Sequence, residues 1–271
     1  MLKKRVYSAA VFVPLVLVFA YLGGIFSDIF FLAALLIGAF ELCRLLRGMG
    51  YFVSEPLIIG GVAALIIMRI VFPNFEYSDV IIVGLIVASA ILSLVRYEHG
   101  DVQASLTFAL HLASTLYLGW LGGYFISLAH LPQGNWWLMI TMIIIWFADM
   151  GAYFIGRRFG RHKITPRLSP NKSWEGYLGG IGFGVFIGIV LSLLLSRTHL
   201  FLGMSLVHSI MLSVLISAIT IFGDVFISML KRVAGLKDSG RLIPGHGGML
   251  DRFDTWIWAV TIAFYFLKLI S

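Results

Sequence analysis

The chain has 271 residues, of which 60% are hydrophobic and 12% are charged, and its mean hydropathy is +0.97. A soluble domain is about half apolar and about a quarter charged, so this composition excludes a water-soluble fold. The single cysteine, Cys43, excludes an internal disulfide and any multi-cysteine zinc or iron–sulfur site. The 20 Lys and Arg against 13 Asp and Glu give a net charge of +7, which in a membrane protein indicates orientation signals and an anionic phospholipid bilayer, with no nucleic acid partner.

The apolar runs predict an all-α, polytopic helical bundle of about nine spans, because a helix needs about 20 apolar residues to cross the hydrocarbon. The spans are separated by charges, prolines and Gly/Asn turns, and they cover residues 6–24, 26–43, 55–72, 79–95, 104–129, 135–156, 174–196, 203–230 and 254–270. The first span is not a cleavable signal peptide, since a second apolar run follows it without a small-residue cleavage site. We predict an N-terminal region, residues 1–130, with about five spans, and a C-terminal catalytic region, residues 131–271, with about four.

The distribution of basic residues predicts the orientation of these spans. With a cytoplasmic N-terminus, 17 of the 20 Lys and Arg fall on the inner side, as the positive-inside rule requires. Arg69 lies near the outer end of the third span, where we expect it to snorkel outward. Two inner loops, residues 157–173 and 231–253, are longer and more basic than topology requires. An active site facing the cytoplasm is expected to form there.

Asp149 and Asp224 lie well inside predicted spans, where a central carboxylate costs about 2.5 to 3.5 kcal/mol to insert. Asp149 is in WFADMGAYFIG of the sixth span, and Asp224 is in IFGDVFISMLKR of the eighth. Both spans run from outside to inside, which puts each carboxylate about 10 to 12 Å below its cytoplasmic helix end. The alternative for either residue is a hydrogen-bonded helix-packing role, but equal depth opposite two basic loops favours a functional site.

A second pair of acids, Asp251 and Asp254, opens the ninth span in GGMLDRFDTW. They are three residues apart, so they share one helical face on the same side of the membrane as the first pair. Capping of the helix N-terminus is the simpler alternative. Acidic oxygen donors without cysteine favour Mg²⁺, and leave open a second cation. The predicted metal ligands are Asp149, Asp224, Asp251 and Asp254.

The two basic loops supply the charge that complements these acids. Positive-inside bias or contact with anionic lipid explains many such residues, and we prefer that interpretation for Arg157 and Arg158. Lys172 differs, because it lies in SPNKSWEG, where Pro170 ends the loop and Ser173 can cap the seventh span.

Glycines have two different interpretations. The GHGG run at 245–248 offers backbone amides that phosphate can approach closely. Glycines at every fourth residue of the seventh span indicate close helix packing instead, and these are Gly176, Gly180, Gly184 and Gly188.

The stretch SMLKRVAGLKDSGRLIPGHGGMLDRFD, residues 228–254, resembles the signature of the phosphatidate cytidylyltransferases, also called CDP-diacylglycerol synthases. The upstream stretch DMGAYFIGRRFGRHKITPRLSPNKSWEG, residues 149–176, resembles that family's second block. The resemblance implies a transferase of phospholipid biosynthesis that converts CTP and phosphatidate to CDP-diacylglycerol and pyrophosphate, with Mg²⁺ required. It also implies a homodimer. A bacterial inner membrane is the expected location.

A phosphatidate phosphate is largely dianionic at neutral pH, so it can attack the α-phosphorus of CTP directly. With the resemblance, this chemistry makes Asp224 and Asp251 the expected ligands of the divalent ion, completed or oriented by Asp149 and Asp254. The residues expected to be catalytic are Asp149, Lys172, Asp224, Lys231 and Asp251. The residues expected to bind substrate are Lys172, Lys231, Arg232, Lys237, Arg241, His246, Gly247, Gly248 and Arg252, although His246 is equally suited to shaping the GHGG turn.

Three other functions remain open at this point. Cytidylyl transfer to another lipid phosphate, such as a polyprenyl phosphate, uses the same chemistry. A cation-coupled transporter also places aspartates inside the membrane, but the outer halves of these spans lack charges that would continue a path. A lipid-binding scaffold would not need four aspartates opposite basic loops.

Overall fold

The protein is described by a computed structural model that covers residues 2–73, 75–198, 205–240, 242 and 247–270, with only the backbone of residues 2–9 and 198. It is almost entirely helical, which confirms the all-α prediction. The helices are α1 (Leu2–Leu22), α2 (Gly24–Gly48), α3 (Glu55–Val71), α4 (Ser78–Glu98), α5 (Ala104–Thr115), a π-helical segment (Leu116–Leu121), α6 (Tyr124–Ala129), α7 (Gly134–Phe159), α8 (Trp174–Thr198), α9 (Leu206–Val233) and α10 (Leu250–Ile270). Two short antiparallel strands, β1 (Lys163–Thr165) and β2 (Ser169–Ser173), lie between α7 and α8.

Each predicted span overlaps a helical stretch, and the fifth span covers α5, the π-helical segment and α6 together. Within the described residues, seven stretches are long and apolar enough to cross a membrane. Two others are shorter: α3 has 17 residues, and the apolar part of α1 covers Ala10–Leu22. The count of nine spans and the cytoplasmic N-terminus stay predictions.

The chain forms two compact units that alternate along the sequence. The first unit comprises Met1–Leu15, Gly24–Ser127 and Leu230–Phe253. The second comprises Val16–Gly23, Leu128–Met229 and Asp254–Ser271. The predicted assignment of catalysis to residues 131–271 stays a prediction.

An aromatic cluster forms part of the core of the first unit. The rings of Phe31 on α2 and Phe125 on α6 are stacked, with centroids 4.5 Å apart. Phe253 in the first turn of α10 lies 5.2 Å from Phe125 and 6.2 Å from Phe31. All three side chains are buried. Such ring pairs contribute about 0.5 to 1.5 kcal/mol each beyond burial, so they fix the start of α10 against α2.

The expectation that Arg69 snorkels outward is wrong. The side chain is 1% exposed, and its guanidinium carbon lies 4.2 to 4.6 Å from the ring centroids of Phe75, Trp120 and Tyr124. Its Nη1 donates to the Ser127 hydroxyl at 3.1 Å. A Cβ at Gly123 would lie 2.7 Å from the Gly119 carbonyl oxygen and 3.1 Å from Arg69 Cδ, so the backbone there lies close to the arginine side chain. Cation–π attraction in this ring cage stabilises a charge that an apolar span would otherwise disfavour.

The glycine stripe of α8 packs closely against its neighbours in the second unit, as predicted. A Cβ at Gly176 would lie 2.9 Å from the Gly156 Cα on α7, and one at Gly180 would lie 2.8 Å from the Ala148 carbonyl oxygen. Further along, Gly184 and Gly188 face hydroxyl groups of α9. The Ser209 hydroxyl donates to the Gly188 carbonyl at 2.7 Å. Small residues therefore let α8 approach both helices at backbone distance.

Replacing Gly184 by Leu is expected to destabilise the protein by about 1 to 3 kcal/mol or more, because overpacking forces backbones apart. A Cβ at this position would already contact the Ser217 hydroxyl and lie 3.1 Å from Ser217 Cβ. Thermal unfolding in detergent measures the effect. Gly182→Leu is the matched control, since a Cβ at Gly182 meets nothing within 4 Å. Equal unfolding temperatures for the two variants would contradict the packing described here.

Candidate active site

The β-hairpin positions Lys172 at the start of α8. Lys163 on β1 pairs with Ser173 on β2, and an irregularity follows before Thr165 pairs with Ser169. The Ser173 hydroxyl accepts a hydrogen bond from the Gly176 N–H at 3.2 Å, so it caps α8 as the sequence predicts. The backbone of Lys172 is thereby held next to a helix N-terminus.

Glu175, in the first turn of α8, binds the segment that leads into β1. Its carboxylate accepts the backbone N–H groups of Arg161, at 3.1 Å, and His162, at 3.2 Å. The His162 ring lies against the same carboxylate at 2.5 Å. The Trp174 N–H also donates to the His162 carbonyl at 2.9 Å. The residues that enter β1 and those that leave β2 are therefore both joined to the first turn of α8.

Lys172 forms an ion pair with Asp224 in the second unit. Its Nζ lies 2.6 Å from Asp224 Oδ2, and 20% of the lysine side chain and 44% of the aspartate side chain are exposed. The Ser228 hydroxyl, one turn further along α9, donates to Asp224 Oδ1 at 3.1 Å. Two residues that the sequence assigns to one site are thus in contact, and each carboxylate oxygen of Asp224 has one donor.

A close approach of α9 and α10 accompanies this pair within the second unit. A Cβ at Gly223 would contact the Asp254 carbonyl oxygen and lie 2.8 Å from Thr255 Cα. The Asp254 side chain is buried, and its Oδ1 accepts the Thr255 N–H at 2.7 Å. Because α10 begins at Leu250, Asp254 is inside the helix rather than at its cap. The capping alternative therefore does not apply to Asp254.

Asp149 lies on α7 in the second unit and is exposed. In the part of the chain that the structure describes, neither unit contains three or more His, Cys, Asp or Glu side chains close enough to hold one metal ion. Asp149, Asp224 and Asp254 therefore do not form a three-carboxylate cluster within the second unit. The four-aspartate metal site stays a prediction.

Lys231 and Asp251 form a second ion pair, in the first unit. Lys231 Nζ lies 2.5 Å from Asp251 Oδ1, and the two side chains are 11% and 6% exposed. Asp251 Oδ2 accepts the Ser239 N–H at 2.7 Å and the Gly248 N–H at 3.0 Å, and lies 3.0 Å from the Ser239 hydroxyl. One oxygen of Asp251 thus contacts both Ser239 and Gly248, and the other faces a lysine.

Glu41 on α2 belongs to the same cluster, and the sequence analysis missed it. Its buried carboxylate accepts the Met249 N–H at 3.0 Å, the Leu250 N–H at 2.8 Å and the Ser239 hydroxyl at 2.9 Å. It therefore caps α10 from a segment about 200 residues away. A signal was present in the sequence, because Glu41 is an ionisable residue inside an apolar span, as are Asp149 and Asp224.

Gly247 and Gly248, the part of the GHGG run that the structure describes, have a structural role that the sequence did not predict. Gly247 has a φ of +85°, which favours glycine. A Cβ at Gly248 would contact the Glu41 carboxylate and the Ser239 hydroxyl. The Gly248 N–H donates to Asp251, so a phosphate contact by this amide would require that bond to be exchanged. Phosphate binding by Gly247 and Gly248 stays a prediction.

Three of the other predicted phosphate-binding residues, Arg232, Lys237 and Arg252, are described by the structure. Arg232 is exposed, and its Nη1 donates to the Leu236 carbonyl at 3.2 Å. Lys237 is exposed, and Arg252 is partly buried. Arg241 and His246 lie outside the described residues.

The two ion pairs share a pattern that bears on cation binding. In each pair a serine hydroxyl contacts one carboxylate oxygen, Ser228 at Asp224 and Ser239 at Asp251. A lysine ammonium lies against the other oxygen. An ionised carboxylate has about four acceptor positions, so Asp224 retains acceptor capacity on both oxygens and Asp251 retains it on Oδ1. Mg²⁺ prefers a few carboxylate ligands with water and phosphate completing its shell. Taken by itself, each aspartate therefore offers a carboxylate oxygen suited to Mg²⁺, and in each it is the oxygen that faces a lysine.

The family described as "Cytidylyltransferase family" matches residues 3–270 of the chain. A phosphatidate cytidylyltransferase of Staphylococcus epidermidis is 31% identical over 264 residues, covering 96% of this chain and 97% of the relative. One from Pseudomonas aeruginosa is 33% identical over 266 residues, covering 97% and 95%. With the Haemophilus influenzae enzyme of that name, identity is 43% over 134 residues, about half of each chain, at 49% and 46%.

These matches confirm the resemblance that residues 149–176 and 228–254 indicate. The residues of both ion pairs lie within or beside those two stretches. Since the family match extends over nearly the whole sequence, the chain belongs to the cytidylyltransferase family.

Proposed function

We propose that this protein is a phosphatidate cytidylyltransferase that transfers the cytidylyl group of CTP to phosphatidate, giving CDP-diacylglycerol and pyrophosphate. The observation that carries the proposal is the pairing of two aspartates with two lysines, Lys172 with Asp224 and Lys231 with Asp251. The names of the relatives in Staphylococcus and Pseudomonas support the same reaction.

The lysines are proposed to bind substrate phosphates. An ammonium against a carboxylate neutralises a charge that would otherwise be costly in a membrane-spanning segment. When an anionic substrate arrives, the same ammonium can contact a phosphate oxygen, since lysine presents three rotatable donors on a flexible stem. Each pair by itself therefore suits the binding of a highly anionic substrate.

The reaction needs neither a general base nor a covalent enzyme intermediate. The phosphatidate phosphate carries most of its second negative charge at neutral pH, so its oxygen can attack the α-phosphorus of CTP directly. Pyrophosphate leaves with the electrons of the broken phosphoanhydride bond. Positive groups around the leaving oxygens stabilise the charge that develops there. Lys172 and Lys231, assisted by Arg232, Lys237, Arg241 and Arg252, are proposed for this part.

Mg²⁺ is the proposed cofactor, with Asp224 and Asp251 as its protein ligands. When bound, it would neutralise phosphate charge and orient the reacting oxygens. Asp149 and Asp254 are proposed to complete or orient the site. A second cation, a homodimer and a site open to the cytoplasmic side of a bacterial inner membrane belong to the same proposal.

Removing either proposed metal ligand is expected to abolish turnover. Asp224→Asn and Asp251→Asn keep the side-chain size but lose the charge, and we expect CDP-diacylglycerol formation to fall by at least about 100-fold. Radiolabelled CTP and phosphatidate vesicles measure the product. Asp79→Asn, at an exposed acid at the start of α4, is the control and should retain activity. Activity near that of the wild type in a folded Asp224 variant would remove this carboxylate from the metal shell.

Removing the Lys172 side chain is expected to weaken substrate binding or slow the transfer reaction. Lys172→Ala should raise the KM of a substrate or lower kcat by about 10-fold or more, because a charge-assisted contact to phosphate is lost. Lys163→Ala removes the same charge from an exposed position on β1 and serves as the matched control. If both variants keep wild-type constants for CTP and phosphatidate, Lys172 does not bind phosphate.

The cofactor and the lipid acceptor are tested in one assay. Chelation of divalent ions is expected to stop turnover, and added Mg²⁺ should restore it. Phosphatidate should be converted faster than a polyprenyl phosphate presented in the same vesicles. Faster conversion of the polyprenyl phosphate would contradict phosphatidate as the acceptor and indicate cytidylyl transfer to a polyprenyl phosphate.

A further inference from the structure

We infer that Glu41 is a positioning residue for the transfer reaction, acting through Ser239 and the start of α10 to hold Asp251. This inference rests on the proposed function, because it assigns Asp251 a part in that reaction. Glu41 is 4% exposed on a membrane-spanning helix, where an unpaired carboxylate would be costly. Three donors satisfy it, and all three come from the segment that carries Asp251.

The first contact of Glu41 is with the N-terminus of α10. The N–H groups at the start of a helix lack intrahelical acceptors and carry partial positive charge. Glu41 accepts two of them, from Met249 and Leu250, directly before Asp251. The direction in which α10 begins, and with it the placement of Asp251, is therefore set by a side chain on α2.

The second contact passes through Ser239. The serine hydroxyl lies 2.9 Å from Glu41 Oε2 and 3.0 Å from Asp251 Oδ2, so it links the two carboxylates. A hydroxyl has one proton and donates to one of them at a time. The Ser239 N–H donates to Asp251 as well, at 2.7 Å. Displacing Glu41 would thus release a residue that makes two contacts with Asp251.

Two glycines, Gly240 and Gly248, approach the Glu41 carboxylate closely. A Cβ at Gly240 would contact Glu41 Oε1 and lie 2.9 Å from Glu41 Cδ, and one at Gly248 would contact both carboxylate oxygens. Gly240 and Gly248 therefore both pack against the carboxylate itself. With its oxygens engaged by the chain and its side chain buried, Glu41 acts on the site through Asp251 rather than by touching substrate.

The test compares Glu41→Gln with Asp28→Asn in the full-length protein in detergent or vesicles. Asp28 is a second buried acid on α2, about 20 Å along the helix from Glu41, so it controls for the loss of a buried charge. Hydrogen exchange of the amides at 247–253 is measured without substrate. We expect about 10-fold faster exchange there in Glu41→Gln and no local change in Asp28→Asn.

The second readout is the Mg²⁺ concentration that gives half-maximal turnover. A variant that only lowers the folded fraction reduces kcat and leaves this concentration unchanged. A displaced Asp251 raises it, and we expect an increase of about 10-fold with a fall in kcat of about 10- to 100-fold. Ser239→Ala, which removes only the hydroxyl link, is expected to shift it in the same direction and covers the case in which Glu41→Gln does not fold.

The outcomes separate the two proposals. Lack of turnover in the wild-type protein would refute the proposed function, whatever the exchange data show. Wild-type turnover together with an unchanged Mg²⁺ dependence in Glu41→Gln, or in Ser239→Ala if the former is unfolded, would refute the role of Glu41 alone. Equal shifts in Asp28→Asn would also refute it.

Discussion

A carboxylate in a membrane-spanning helix has to be neutralised or surrounded by donors, and this constraint organises the candidate site. Asp224 and Asp251 each meet it with a lysine, and Glu41 meets it with two backbone amides and a hydroxyl. A buried charge that loses its partner destabilises a protein by about 3 to 5 kcal/mol, so the contacts of Asp251 and Glu41 also stabilise the fold. The Asp224 side chain is 44% exposed, and its ion pair contributes less to stability. The partners come from three places: Lys172 from the hairpin, Lys231 from α9, and the Glu41 donors from Ser239 and the start of α10.

Features that depend on local pattern were predictable from the sequence. The helical stretches follow from apolar length, the Ser173 cap from its position before Gly176, and the close packing of α8 from a glycine at every fourth residue. Lys172 and Asp224 were each recognised as site residues. Their contact was not predictable, because it joins segments about 50 residues apart whose relative placement depends on helix packing.

Two charged residues show where sequence reasoning ended. Glu41 carries the same signal as Asp149 and Asp224, an ionisable group in an apolar span. Its span, however, is not followed by either of the two long basic segments, residues 157–173 and 231–253. Arg69 looked like a residue with a free path to the outer surface. Its ring cage comes from residues up to about 55 positions further along the chain, beside a π-helical turn that no composition rule predicts.

The cap at Ser173 has a mechanical consequence for its neighbour. The main chain of Lys172 belongs to β2 and is followed directly by the Ser173 cap of α8, so its charge is carried at the end of four methylene groups on a fixed backbone. In the proposed reaction, moving its ammonium from Asp224 to a substrate phosphate would need rotations within one side chain and no rearrangement of β2 or α8.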